Sequence, residues 1–392
     1  MISEKMKELV AGSSVIRAMF EEGRLMAKKY GAENVYDFSL GNPNTPPPST
    51  ITENILDILS TENSIHGYMN NSGHESTRSA IAKSIGSDLT YNNIVMTVGA
   101  AGGLNVILKT ILNPDEEVIV FAPFFSEYRH YVSNFNGKLI IIKPDTNSFM
   151  PNFAELKQAI NKNTKAVIIN TPNNPTGVVY SKDTLTKLAT ILEQKQAEFN
   201  SSIYLISDEP YREIVYDNYE VPNVLDFYAN TFIAYSYSKS LSLPGERIGY
   251  ICVSAKMNYA SEILSGLNVA NRILGFVNAP SLFQKLVEKY VGTPAEIMLY
   301  KNNRDILYKH LVELGFDITY PAGAFYLFPK ALIEDDVQFC NKAKEFNILL
   351  VPGSAFCCKG YFRLAYCVGE TTVKNSLDAF TKLAKYYNKP TR

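Results

Sequence analysis

From about residue 94 the chain carries short apolar runs between polar stretches: Ile94–Val98, Val118–Phe121, Leu139–Ile142, Ala166–Ile169, Ile203–Ile206, Phe232–Tyr235 and Ile248–Val253. Each is a few residues long and Val and Ile recur in them, which predicts strands buried on both faces of a parallel sheet. Helix-like segments fall between several of the runs, at Leu104–Leu112, Phe153–Ile160 and Lys182–Glu198, the last with Ser181 as its N-cap. Strand alternating with helix predicts an α/β architecture with right-handed crossovers. After about residue 290 the order changes. Pro294–Leu314 reads as a long helix ended by Gly315, Ile318–Tyr320, Phe325–Phe328 and Phe362–Tyr366 as short strands, and Thr371–Tyr387 as a final amphipathic helix. The first 44 residues hold one helix, Ser14–Tyr30, and no core of their own, so they must pack on another part of the chain. The expected organisation is a large domain over 45–290, with a mostly parallel seven-stranded sheet flanked by helices. A smaller α+β domain is expected from the two chain ends, 1–44 and 291–392.

Charge and composition narrow the function. Lys and Arg number 38 and Asp and Glu 39, a balance that argues against a surface built for nucleic acid or an anionic membrane. With 46% hydrophobic and 20% charged residues the chain reads as a soluble globular enzyme rather than a disordered protein. The N-terminus shows no signal-peptide pattern and no apolar run is long enough to span a membrane, so a cytoplasmic setting is expected. Cys252, Cys340, Cys357, Cys358 and Cys367 show no CxxC spacing, and His66, His74, His130 and His310 are scattered. Neither a disulfide framework nor a metal site is expected.

Four motifs carry candidate chemistry. Tyr235-Ser236-Tyr237-Ser238-Lys239 ends a strand, and Arg247 follows between Gly245 and Gly249. Ser hydroxyls and a guanidinium can cradle a phosphate, and a Lys of lowered pKa can be a Schiff-base nucleophile; a solvated polar loop is the plainer alternative. Gly99-Ala100-Ala101-Gly102-Gly103 lies between a strand and a helix, where small residues let backbone amides approach an anion, although Gly and Ala there can serve packing alone. It is neither a GxGxxG fingerprint nor a P-loop, which disfavours a nicotinamide oxidoreductase. Asn173-Asn174-Pro175-Thr176-Gly177 places an Asn amide at a strand's carboxyl end, or is simply a turn. Asp208-Glu209-Pro210-Tyr211 offers a carboxylate and a phenol at another strand end; a helix N-cap is the competing reading of Asp208. All four sit where α/β sheets bind ligands. A nucleophilic Lys, a phosphate cradle, an Asp for a pyridinium and a Tyr for a phenolate together make up what pyridoxal phosphate needs.

On these motifs the chain resembles fold-type I pyridoxal-phosphate enzymes, specifically the class I/II aminotransferases of the aspartate aminotransferase superfamily, from Gly41 to Arg363. The resemblance implies that Lys239 bonds the cofactor as an aldimine and shuttles the substrate proton. It implies that Asp208 pairs with the ring nitrogen, that Tyr211 and Asn174 donate to the ring oxygen, and that Ser236, Ser238, Arg247, Ala100 and Ala101 hold the phosphate. Phe125 matches the aromatic that stacks on the ring. Many relatives carry Trp or Tyr there, so stacking is kept while any hydrogen bond is lost. Arg363 matches the fork that grips the substrate α-carboxylate, and Gly41 the backbone that approaches it. Tyr68 matches a Tyr that reaches a neighbouring subunit's phosphate, which implies a homodimer with shared active sites. Arg272 lies near the position of a distal Arg in dicarboxylate-specific members, with the spacing off by about one residue. Arg17 lies in the N-terminal segment that often lids the site. The implied reaction is ping-pong amino transfer between an amino acid, aspartate as first choice, and a 2-oxo acid such as 2-oxoglutarate. The same residues also serve a C–S β-lyase. A non-enzymatic pyridoxal-phosphate-binding regulator would need a DNA-binding domain, for which only about 40 residues precede the motifs.

Overall fold

The computed structural model of the chain describes residues 1–11, 15–86 and 88–388. Seven strands form the central sheet: β1 (Ile94–Thr97), β2 (Glu117–Phe121), β3 (Lys138–Ile142), β4 (Thr164–Asn170), β5 (Tyr204–Asp208), β6 (Thr231–Ser236) and β7 (Gly249–Val253). Their spatial order is β1-β7-β6-β5-β4-β2-β3, and only β7 runs antiparallel to its neighbours. Every expected strand from this region is present. Alternate residues enter opposite cores: Val167, Leu205 and Ile233 pack on one face, and Ala166, Ile206 and Phe232 on the other. The sheet is therefore the middle layer of three, as its continuous apolar runs require.

Beyond the sheet, β8 (Tyr326–Leu327), β9 (Val351–Pro352) and β10 (Phe362–Ala365) form an antiparallel sheet of order β9-β10-β8. A third core of Phe38, Tyr300, Phe325, Phe339, Phe362 and Phe380 surrounds it. Tyr36–Asp37 pairs in parallel with Ile348–Leu349, so the N-terminal segment is stitched to the C-terminal part. Among the described residues no helix is long and apolar enough to cross a membrane.

Several elements differ from the sequence expectation. The helix after β1 begins at Gly99, not Leu104, and runs to Ile111. Its glycines serve close approach: a Cβ on Gly103 would crowd Ile251 and Thr97, and one on Gly102 would overlap Val98. Ile318–Tyr320 is not a strand; Tyr320 is held through its side chain, by Asp217 at 3.0 Å and the Tyr308 ring. The long helix starts at Met298, whose N–H is accepted by Glu296 at 3.1 Å, rather than at Pro294. A further helix, Glu4–Ala11, precedes Val15–Tyr30, and Ser14 lies outside the described residues. The Ser181 hydroxyl accepts from Thr184 N–H at 3.1 Å, as its capping role requires.

Gly249, at the first residue of β7, sits opposite both Ser236 and Thr97. A side chain there would collide with the Tyr235 carbonyl and the Gly99 backbone, whereas one on Gly245 meets nothing. Gly249→Ala is expected to cost about 2–3 kcal/mol and lower the thermal midpoint by several degrees, with Gly245→Ala within about 0.5 kcal/mol of wild type. Equal midpoints for the two variants would contradict this packing account.

Candidate active site

The parallel strands end at one edge of the sheet, and their following residues enclose a cavity of about 260 Å³. β5 ends on Asp208, and β6 ends on Ser236 and runs into a short helix, Tyr237–Ser240, that carries Ser238 and Lys239. β4 ends at Asn170, ahead of the Asn174 turn. Arg247 precedes the antiparallel β7 and reaches the same edge from the other direction. The segment containing Ser39 and Gly41, with Tyr326 of β8 and Arg363 of β10, closes the opposite side.

One end of the cavity is an anion cradle. Ser236 and Ser238 hydroxyls lie 2.7 Å apart, and Ser238 N–H donates to Ser236 Oγ at 3.2 Å. Arg247 donates to the Pro244 and Val98 carbonyls at 3.0 and 3.5 Å, which fixes its guanidinium beside Gly99. Gly99 has φ 76° and a Cβ there would lie 3.0 Å from Arg247 Nη2, so glycine keeps the cradle open. Ala100 and Ala101 line it from the first turn of a helix with no side-chain cap, where unpaired amides and the helix dipole favour an anion.

Asp208 stands at the other end. Its Oδ2 accepts from the Tyr128 hydroxyl at 2.5 Å, while the buried Oδ1 has no partner among the described residues. Burial raises its pKa to about 7, the Tyr128 bond opposing and nearby Glu209 reinforcing the shift. Asp208 caps no helix. Asn170 braces the strand ends, donating to the Asp208 carbonyl at 2.8 Å and accepting from Asn174 N–H at 2.7 Å. Phe125 lines the wall, edge-on to Tyr128.

Lys239 donates to the Gly41 carbonyl at 2.7 Å. Its pKa is lowered to about 8, chiefly by burial, with Cys367 opposing and the Arg363 and Arg247 charges acting in the same direction as burial. A substantial neutral fraction near neutrality is what a nucleophilic or basic amine needs. Arg363 is buried, donating to Asn174 Oδ1 at 3.0 Å and the Ser39 carbonyl at 2.6 Å; its Nε is unpaired among the described residues. The Tyr211 and Tyr326 hydroxyls lie 2.8 Å apart.

The cavity thus brings together Gly41, Ala100, Ala101, Phe125, Asn174, Asp208, Tyr211, Ser236, Ser238, Lys239, Arg247 and Arg363, the positions singled out in the sequence. Tyr68 and Arg272 do not line it: Tyr68 is fully exposed, and Arg272 is exposed on the last turn of helix Ala260–Ile273. The Arg17 side chain lies outside the described residues. The sequence reading missed Asn170, Tyr128, Tyr131 and Tyr326. Tyr128 lies three residues after Phe125 in the same aromatic stretch, and Asn170 is the last residue of an apolar run, so both carried a positional signal. Tyr326 lies in the Phe325–Phe328 run, which reads only as a short strand. Among the described residues no group of three or more His, Cys, Asp or Glu could hold a metal ion.

Residues 32–380 match the family described as aminotransferase class I and II. The chain belongs to this family. The aspartate aminotransferase of Thermotoga maritima is 28% identical over 99% of this chain and all of its own. The aspartate/prephenate aminotransferase of Thermus thermophilus is 28% identical over 76% of this chain and 77% of its own. A solved amino transferase from Eubacterium rectale superposes with TM-score 0.96 at 43% identity, covering 99% of this chain and 100% of that one. As a class I/II aminotransferase the protein is a transaminase, and members of the family use pyridoxal phosphate. The cavity fits that cofactor on its own terms. Asp208 Oδ1 is an unpaired buried acceptor suited to a protonated ring nitrogen, and the Gly99 cradle with two hydroxyls and Arg247 suits a phosphate.

A raised carboxyl pKa has a stability consequence. Asp208 burdens the cofactor-free fold little below the unfolded carboxyl pKa, and increasingly as pH rises toward about 7. Without cofactor, Asp208→Asn is expected to be more heat-stable than wild type at alkaline pH, by about 2–4 kcal/mol, with the gain shrinking on acidification. Thermal melts across pH check this, and a less stable variant at alkaline pH would contradict it.

Proposed function

We propose that the protein moves an amino group between an amino acid and a 2-oxo acid by a ping-pong mechanism, with aspartate as donor and 2-oxoglutarate as acceptor. The observation that carries the reading is the set of three groups in one cavity: half-buried Lys239 with a lowered pKa, buried Asp208 with an unpaired oxygen, and buried Arg363 with an unpaired Nε. Asp208 would face the cofactor's ring nitrogen, Tyr211 and Asn174 its ring oxygen, Phe125 its face. Ser236, Ser238, Arg247 and the amides at Ala100 and Ala101 would hold its phosphate. When bound, the cofactor supplies an electron sink for the bond-breaking at the substrate's α-carbon.

The chain's own residues set the rest. Lys239 would hold the cofactor covalently and, as a free amine, would serve as the base that carries the proton away from the substrate's α-carbon. Arg363 orients the substrate through its carboxylate, the planar fork fixing which α-bond breaks. Gly41 supports this role, since Tyr326 leaves no room for a side chain there. Tyr68 and Arg272 are proposed to serve a partner's cavity in a homodimer, Tyr68 at its phosphate and Arg272 at a distal carboxylate. Their exposure on the single chain and the similarity to an aspartate and an aspartate/prephenate aminotransferase support that reading. The division into 45–290 and the joined ends 1–44 and 291–392 is proposed on the same footing, supported by the strand pairing of Tyr36–Asp37 with Ile348–Leu349.

The cofactor-loaded protein is expected to be yellow, to bleach when donor is added without acceptor, and to release one 2-oxo acid per site. Lys239→Ala should show no turnover with any donor. Pyruvate and ammonia formed without an acceptor would mark a β-lyase and contradict the transfer reading. Arg272→Ala should lower kcat/KM for aspartate and glutamate by about 10- to 100-fold while sparing neutral donors; unchanged dicarboxylate rates would remove Arg272 from the site.

A further inference from the structure

Tyr326 lies outside the chemistry-bearing motifs of the sequence, yet its side chain meets three parts of the cavity. Its hydroxyl is 2.8 Å from the Tyr211 hydroxyl. Its ring lies under the Arg363 guanidinium, 4.7 Å from the ring centre, with Phe356 on a second side at 4.9 Å. Its hydroxyl also fills the space a Gly41 side chain would need, so the backbone that accepts from Lys239 rests against the same oxygen.

We propose that Tyr326 is a positioning residue that sets the donor strength of Tyr211 and the aim of Arg363, coupling the cofactor's electronics to the grip on the substrate carboxylate. This rests on the reading of Tyr211 as donor to the cofactor's ring oxygen. Burial pushes the Tyr326 hydroxyl up to about 12, so it stays protonated. Either hydroxyl of the pair can donate to the other. Once the Tyr211 proton is directed at an anionic oxygen, only Tyr326 can donate across the pair, and that donation polarises the Tyr211 O–H and strengthens its bond. A ring oxygen held more strongly by Tyr211 holds the proton on the adjacent Lys239 nitrogen more weakly. Removing the Tyr326 hydroxyl therefore raises the pH at which that proton leaves. The ring acts separately: Asn174 and Ser39 take two N–H groups of Arg363, and the aromatic rings confine the guanidinium.

The test loads wild type, Tyr326→Phe and Tyr326→Leu with pyridoxal phosphate and follows visible absorbance against pH. In Tyr326→Phe the inflection should rise by about one pH unit, and affinity for maleate, a substrate-sized dicarboxylate, should stay within about twofold because the ring remains. Tyr326→Leu should bind maleate about three- to tenfold more weakly. In a Tyr211→Phe background, Tyr326→Phe should leave the inflection where it is. A merely structural role would shift neither inflection nor coupling. An unmoved inflection in Tyr326→Phe, equal shifts in both backgrounds, or undiminished maleate binding in Tyr326→Leu overturns the proposal. A wild type that shows no visible band with the cofactor removes instead the reading on which it rests.

Discussion

An acid side chain held inside the protein with one oxygen bonded and the other free is the constraint around which this architecture is arranged. Asp208 reaches that state because β5 ends on it in the middle of the sheet, between β4 and β6, with Tyr128 packed against one oxygen. An uncompensated buried carboxylate is costly, which is why its pKa rises. The surrounding polar groups do not relieve it. Asn170 binds its backbone, Arg363 is committed to Asn174 and Ser39, and Lys239 to Gly41. In the proposed reading a cationic ring nitrogen would offset that cost, and the unmet hydrogen bond would favour such a ligand.

The three cationic groups of the cavity wall, Lys239, Arg247 and Arg363, each bond backbone carbonyls rather than carboxylates. Lys239 and Arg363 each bond a carbonyl of residues 39–41, so the N-terminal segment forms one wall of the site. That segment gains its place from elsewhere, through the pairing of Tyr36–Asp37 with Ile348–Leu349 and the bond of Phe38 N–H to Leu349. A chain end with no core of its own thus takes its place at the cavity by being stitched to a distant strand.

The central strands were legible because burial on both faces leaves an unbroken Val- and Ile-rich record. Ser181 announced its helix by a cap, and Met298–Glu313 and Glu370–Tyr387 were legible by their length without a side-chain cap, whereas some shorter helices were missed. Ala260–Ile273 follows Tyr259 in a left-handed conformation without a side-chain cap, and Ser281–Glu288 follows Pro280 without one. Asp336–Lys344 did carry a signal, since Asp335 accepts from Gln338 N–H at 2.9 Å. Gly99–Ile111 was read short because glycines placed for close packing look like a loop. In the cavity, Lys239, Asp208, Asn174 and Arg247 stood out by position at strand ends. Tyr128 was marked only by its place beside Phe125 and Tyr326 not at all, because each contacts another side chain brought near only by the fold, across 80 residues for Tyr128 and Asp208 and 115 for Tyr326 and Tyr211.

The central claim is that Lys239 is the amine placed to bond the cofactor inside this cavity. Incubating the protein with pyridoxal phosphate, reducing the covalent linkage with borohydride and mapping the peptides by mass spectrometry tests it most directly. The account predicts that the added mass falls on Lys239 and disappears in Lys239→Ala. Stoichiometric labelling of another lysine, with Lys239 unmodified, would contradict it.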